Sequence, residues 1–445
     1  MAIGGANLCL HSFLGAVIHT ACDACMGAGL SLYNISPVRL PWRNIAMTAV
    51  AVVSIFLIDR LCGLLVGPGD QFYRLVLPPS ETARYEFRDF QFTISTNRLG
   101  FRGPDFPIHR TPGLKRILVF GNSFTYGWGV DFEQTWPHLL EQELSAAGIS
   151  AEIANLSRAG TNGMEMKEIV EHSIALLKPD LIIISVLQGG GLTTLQSGAA
   201  PNPTREREKN VKGILMQWLS YVMPNYVQLL QVVRERTASA KFIPASVIRR
   251  EQVRAAEGVI GRYTDQERAR FNSLYPGTVD RFIKGELNVG IVLMALGTPN
   301  FWVDTVKSTE MIDSGMTGMR EAFSAMGKIA EANGVSVVVA SMPYGAYLGG
   351  GAAENLRRLG FNIPDFLDHE RSTDDHIRRA ALDVGVQFIS VLEGFQTVNS
   401  GDLFIPFDGH YSPAGTKLYA KLLSKELTRK LALLAHSSRA PQRQN

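Results

Sequence analysis

From Leu114 onward, short apolar runs alternate with stretches whose apolar positions recur at helical spacing. Arg116–Phe120, Ala151–Leu156, Leu181–Leu187, Val335–Ala340 and Gln387–Val391 read as strands. Leu181–Leu187 is apolar throughout after Lys178-Pro179-Asp180, as expected of a strand covered on both faces. Gln134–Ala147, Met164–Leu177, Gly318–Ala332, Asp374–Leu382 and Pro413–Leu434 read as helices. Five strands alternating with helices predict a three-layer α/β/α fold, flavodoxin-like, around a parallel five-stranded sheet. Residues 114–192 and 314–436 would form it.

The stretch 193–313 breaks this rhythm. Gly198–Lys209 is polar, Val211–Val233 has helical spacing with Trp218, Tyr221 and Tyr226, Arg249–Phe271 is charged, and Val289–Leu296 is apolar. The expectation is a helical insertion over the carboxyl edge of the sheet, acting as a lid or only as a stabilising cap. Ahead of the domain, residues 67–113 read as an extended lead-in with a turn, opening at Gly67-Pro68-Gly69. Residues 1–44 are apolar and Gly/Ala-rich, a preface of unknown role. Between them, Ile45–Ile58 is uninterrupted and apolar, short for a span, but continuing through Asp59 and Arg60 to Val66 reaches spanning length. No small-x-small cleavage site follows, so residues 45–66 are expected to be an uncleaved signal anchor, with a buried helix of a soluble protein as the alternative. Arg39 and Arg43 before it suit a cytoplasmic N-terminus and a periplasmic domain, although Arg60 and Arg74 follow.

Hydrophobic content of 46% and charge of 19% describe a folded chain, and a net charge of +3 gives no ground for a nucleic-acid partner. The cysteines, Cys9, Cys22, Cys25 and Cys62, all precede the expected domain, which therefore needs no disulfide. Cys22 and Cys25 have the spacing of a redox or metal pair but lack a second pair. No His pair has ligand spacing with a carboxylate nearby, so neither metal nor cofactor is expected.

The candidate chemistry lies at the strand ends. Arg116–Phe120 stops at Gly121-Asn122 and presents Ser123, a way to expose a nucleophile at the carboxyl edge of a sheet, although most such Ser residues are turn or cap residues. Phe407-Asp408-Gly409-His410, just before the last helix, supplies an orienting acid and a base. His138, His172 and His376 sit in helical stretches and read as surface or core residues. The N–H of Ser123 and the turn Ala159–Gly163 can supply oxyanion donors. Gly189-Gly190-Gly191 could cradle a phosphate, but no Lys-Ser/Thr follows and no helix is expected to start there.

These residues resemble the blocks of the SGNH (GDSL-type) hydrolase superfamily, especially its bacterial membrane-anchored branch. Gly121-Asn122-Ser123-Phe124 resembles the first block, with Asn122 where Asp is usual. Asn155–Gly163 resembles the second, with Gly160 as its oxyanion Gly. Asp408-Gly409-His410 with Ser412-Pro413-Ala414-Gly415 resembles the last, one residue shorter between acid and base than is commonest. Asn97–Gly103 is similar to the family's lead-in. The resemblance implies a Ser123-His410-Asp408 esterase or O-acyltransferase acting on an acyl ester, often of cell-envelope carbohydrate, with Ser123 and Gly160 at the oxyanion. One block departs: Gly190 and Gly191 stand where Asn and Asp are usual, and Asn162, Gln188 and Thr193 are the candidate substitutes. A non-catalytic protein holding envelope polysaccharide is the alternative.

Overall fold

The computed structural model describes residues 42–66, 79–195, 219, 221–237 and 241–437. Expectations for residues 1–41, Cys22 and Cys25, Gly67–Gly69, Gly198–Lys209 and Trp218 fall outside them. Two compact units divide at Leu57/Ile58. In the first, the described residues are all helix, the start of α1 (Trp42–Leu65). The helix contains a stretch, Ala46–Leu65, long and apolar enough to cross a membrane, and only 6% of that stretch is buried.

The second unit opens with the rest of α1, and its next described element is an antiparallel hairpin, β1 (Glu81–Glu86) and β2 (Gln91–Ser95). The aromatic run at residues 85–94 is folded back on itself rather than extended: Phe87 N–H donates to Phe90 O, and the rings of Tyr85, Phe87, Phe90 and Phe92 stack on one face. The main sheet then begins with β3 (Lys115–Phe120), followed by the single turn α2 (Ser123–Tyr126) and by α3 (Trp136–Ala146). Next come β4 (Ala151–Asn155), α4 (Gly163–Leu177), β5 (Leu181–Leu187) and the short α5 (Gly191–Thr194).

The chain next forms α6 (Pro224–Thr237), β6 (Lys241–Ile243), α7 (Ala245–Ile260), α8 (Asp265–Asn272), α9 (Pro276–Ile283), α10 (Val289–Gly297) and α11 (Phe301–Lys307). This segment is not wholly helical: β6 pairs in parallel with β1, extending the hairpin to three strands. Then follow α12 (Thr309–Ala332), β7 (Ser336–Met342), α13 (Gly350–Leu359), α14 (Ser372–Leu382), β8 (Gln387–Ile389), α15 (Leu392–Gln396) and α16 (Pro413–Ser437). α12 starts at Thr309 rather than Gly318 because the Ser308 hydroxyl accepts from Met311 N–H and caps it.

The five expected strands form one parallel sheet in the order β4-β3-β5-β7-β8. Alternate residues of each strand enter opposite cores. Ile117, Val119, Ile183 and Val338 pack with Trp136 and Leu140 of α3 and with Tyr419 and Leu423 of α16. Leu118, Phe120, Ile182, Ile184 and Val339 pack with Ile169 of α4, Phe323 of α12 and Ile377 of α14. The chain leaves β3 through α3 on one face and leaves β4 through α4 on the other. The direction of winding therefore reverses around β3, which places Ser123 at the switch point of an open α/β sheet.

Candidate active site

Ser123 owes its position to local bonds. Gly121 is needed where β3 ends, because a Cβ there would lie 2.1 Å from Thr125 Oγ1 and 3.2 Å from the Ser185 carbonyl. Asn122 caps the following turn: its Oδ1 accepts from Phe124 N–H (3.1 Å). That is an acceptor's job, which explains why Asn serves in the place of Asp. From the neighbouring strand, Asn155 Nδ2 donates to Thr125 O (2.8 Å) and pins the other side of the turn.

Asp408 and His410 meet Ser123 although His410 is 287 residues away. His410 Nδ1 lies 2.6 Å from Asp408 Oδ1, and Nε2 lies 2.8 Å from Ser123 Oγ. A carboxylate oxygen accepts, so Nδ1 carries the proton and Nε2 keeps a lone pair for the Ser hydroxyl. Asp408 is 1% exposed, and its second oxygen accepts from Trp128 Nε1–H (3.2 Å). The acid is thus held at both oxygens, and a buried carboxylate needs that.

The loop that carries them is braced from several elements. Phe407 has φ 58°, unusual for a bulky residue, and Gly409 has φ 83°. The Arg281 guanidinium of α9 covers the Phe407 ring at 4.2 Å, and Arg281 also pairs with Asp89 in the turn of the hairpin, with Nη2 donating to Oδ1 (3.2 Å). Tyr344, after β7, sets its hydroxyl beside Gly409, while its ring packs edge-on against Phe124. Burial and the charge of Asp408 push the Tyr344 hydroxyl well above its ordinary value, so it stays neutral. The His410 ring lies 4.6 Å from that of Phe124. Trp128 in turn rests on Tyr85 and Phe92 of the hairpin. No motif marks Trp128, Tyr344 or Arg281 in the sequence, where each is one aromatic or cation among many.

The oxyanion candidates separate. The N–H groups of Ser123 and Gly160 donate to no described group, and Gly160 has φ 73° in an exposed turn. Gly190 is buried, and its N–H donates to Gln188 O (2.7 Å). It therefore offers no donor, and as glycine it has no side chain to offer one. Among the substitutes, Gln188 is wholly buried: its Nε2 donates to Asp374 Oδ1 (3.2 Å) and its Oε1 accepts from Tyr344 N–H (3.2 Å). The Thr193 hydroxyl donates to Gly190 O (3.2 Å). Asn162 uses only its oxygen, which caps α4 by accepting from Glu165 N–H (2.9 Å), and its amide NH2 has no partner among the described residues. The remaining candidates stand apart. His138 bonds Gln142, His172 lies beside Glu168, and His376 is buried in α14, where burial lowers its pKa. Among the described residues no cluster of three or more His, Cys, Asp or Glu could hold a metal.

No family model matches the chain, and no curated protein matches it. Solved structures do. A lipase/acylhydrolase from Enterococcus faecalis is 11% identical, covering 71% of this chain and 97% of its own, with a TM-score of 0.33. A protein described as an SGNH hydrolase from Slackia heliotrinireducens is 15% identical over 71% of this chain and 100% of its own (TM-score 0.32). The sheet is the one that the SGNH resemblance implies. A catalytic mutant of an acetylxylan esterase from Geobacillus stearothermophilus is 11% identical over 70% of this chain and 94% of its own (TM-score 0.32). At such identities no activity transfers, and the residues of the site must carry the chemistry.

Proposed function

We propose that the chain is an SGNH-type ester hydrolase. The observation that carries this reading is the unbroken line Asp408 Oδ1, His410 Nδ1, His410 Nε2, Ser123 Oγ, with separations of 2.6 and 2.8 Å at its two contacts. Ser123 Oγ attacks an acyl carbonyl while His410 Nε2 takes its proton. Asp408 stabilises the imidazolium that results. His410 then returns the proton to the leaving alcohol, and a water attacks the acyl-Ser123 ester by the same route. The developing oxyanion is received by the N–H groups of Ser123 and Gly160, with the Asn162 amide as third donor in place of the missing Asn. The ester is that of a cell-envelope carbohydrate, and α1 anchors the hydrolytic unit on the periplasmic side of the membrane. Transfer of the acyl group to a sugar instead of water is the same chemistry with a different acceptor.

The glycine at 190 favours a second reading, a non-catalytic polysaccharide-binding protein, because one missing oxyanion donor costs roughly 10²–10³ in rate. Turnover of p-nitrophenyl acetate by the full chain in detergent separates the two. The expected result is a rate that Ser123→Ala lowers by at least ~10³, with fluorophosphonate labelling of Ser123 in the unmodified chain. Equal rates for the two proteins, with no labelling, would leave only the binding reading.

A further inference from the structure

Asp59 is a carboxylic acid inside the apolar stretch Ala46–Leu65, yet it is 5% exposed. A side chain of that kind at membrane depth needs a protein partner. Its partner is the start of α6: Asn225 Nδ2 donates to Oδ2 (2.7 Å) and Tyr226 N–H to Oδ1 (3.0 Å). The carboxyl thus accepts from the first turn of α6, as an N-cap side chain does. Gly63, one turn further along the same face of α1, lets α6 come close, since a Cβ there would lie 3.1 Å from the Asn225 side chain. Asp59 is six residues from the end of α1, about 9 Å along the axis. The N-terminal turn of α6 therefore lies at a height within the stretch, not beyond its end.

Apart from Arg60, whose long stem lets its charge reach the interface, the large exposed side chains around this contact are apolar. Ile58, Leu61, Leu64 and Leu65 of α1 are exposed. So are Tyr221 and Val222 just before α6, and Leu230 and Val233 within it, one helical turn apart. Val232 of α6, on the other side, is fully buried. An apolar patch of this kind is costly in water and stable against acyl chains, with a Tyr suited to the boundary.

We propose that α6 is seated in the membrane beside α1, with Tyr221, Val222, Leu230 and Val233 against lipid. This rests on the reading of α1 as a membrane anchor and goes beyond it. The segment between β5 and α12 then does more than cap the sheet. One end of it enters the bilayer, while Arg281 and Tyr275 further along reach Phe407 beside the candidate acid. The site is thereby held at a set distance from the membrane surface.

Photo-crosslinking of the full chain in phosphatidylethanolamine/phosphatidylglycerol vesicles tests this. The single replacements are Tyr221→p-benzoylphenylalanine, Val233→p-benzoylphenylalanine, and the same change at Leu57 and Leu382. Leu57 probes α1 itself, and Leu382 is an exposed apolar residue of α14. The expected result is covalent lipid adducts at Tyr221, Val233 and Leu57, at roughly ten times the yield at Leu382. Adducts at Leu57 with only background at Tyr221 and Val233 would overturn the proposal while leaving the anchor standing. Crosslinks from Tyr221 or Val233 to another polypeptide would overturn it in favour of a protein partner. Absence of lipid adducts at Leu57 would remove the anchor reading and this inference together.

Discussion

Ser123 and His410 face each other across 2.8 Å, but the two turns that carry them are held in opposite ways. The Ser123 turn is braced by its immediate surroundings: Asn122 from its own N-terminus, Asn155 from the adjacent strand, and the close fit of Gly121 under Ser185. The Phe407–His410 turn has local bonds too, with Gly409 N–H donating to Ile405 O (2.9 Å) and Ile405 N–H to His410 O (2.8 Å). Its orientation, however, depends on remote groups. Trp128 holds Asp408, Tyr344 lies beside Gly409, and Arg281 covers Phe407. Two of these are themselves supported by the β1–β2 hairpin, through Tyr85 and Phe92 under Trp128 and through Asp89 on Arg281. The place of Ser123 is thus a property of the sheet edge, while the places of Asp408 and His410 are a property of the assembled unit. The lead-in hairpin belongs to the site as much as the sheet does.

This contrast can be broken most severely at Asp408. Asp408→Asn keeps the shape of the turn and is expected to lower ester turnover by ~10³–10⁴, because it favours the wrong His410 tautomer. An unaffected kcat would mean that the acid lies elsewhere. Next in size is the donor assigned to the second block. Asn162→Ser keeps a cap for α4 but loses the amide, so kcat should fall by about 10² with little change in thermal unfolding. A fall in stability without a fall in kcat would assign Asn162 to the helix alone. Trp128→Phe keeps the ring on the hairpin and removes only the N–H on Asp408. Its kcat should drop by about 10-fold, as expected for a hydrogen bond to a charged group. Arg281→Met removes the cover of Phe407 and the pair with Asp89, and a fall in kcat of about 3-fold with unchanged fluorophosphonate access is expected. Equal losses in kcat from Asn122→Ala and Arg281→Met would erase the distinction between the two turns.

The smallest effect concerns Asp374, which accepts from Ser341 and Gln188 beneath the Tyr344 loop. Burial raises its pKa, despite the hydrogen bonds that lower it. A carboxyl whose folded value lies above its unfolded value binds its proton more tightly in the folded state. Its contribution to stability is therefore present at acid pH and declines as pH rises above the ordinary carboxylate range, near 4. Asp374→Asn keeps an oxygen acceptor and removes the charge. Its melting temperature should match that of the unmodified chain at low pH and exceed it by on the order of a degree or two at neutral pH. A constant difference across that range would show that Asp374 does not titrate differently on folding.

Most of the sheet is legible in the order of residues, because a strand buried on both faces must be apolar throughout and a helix beside it must be apolar on one side. Those constraints act within a few residues, so Leu181–Leu187 has the same ends in the fold as in the hydrophobic pattern. The boundaries that differ are set by groups just outside the pattern, as with Ser308 at the start of α12. The hairpin is less legible, since its alternating aromatics fit one long strand or two short ones, and only the stacking of Tyr85, Phe87, Phe90 and Phe92 on one face decides between them. The amino-acid order specifies the kinds of reacting group available: a Ser at a strand tip, and an Asp and a His two apart. Folding alone brings these groups together, gives Asp408 its second partner in Trp128, commits Gln188 and Thr193 elsewhere while leaving the Asn162 amide without a partner among the described residues, and answers Asp59 with α6. Periodicity and capping are local energies, written in neighbouring residues. A hydrogen bond across 280 residues, as between Trp128 and Asp408, depends instead on where the packed cores place both ends.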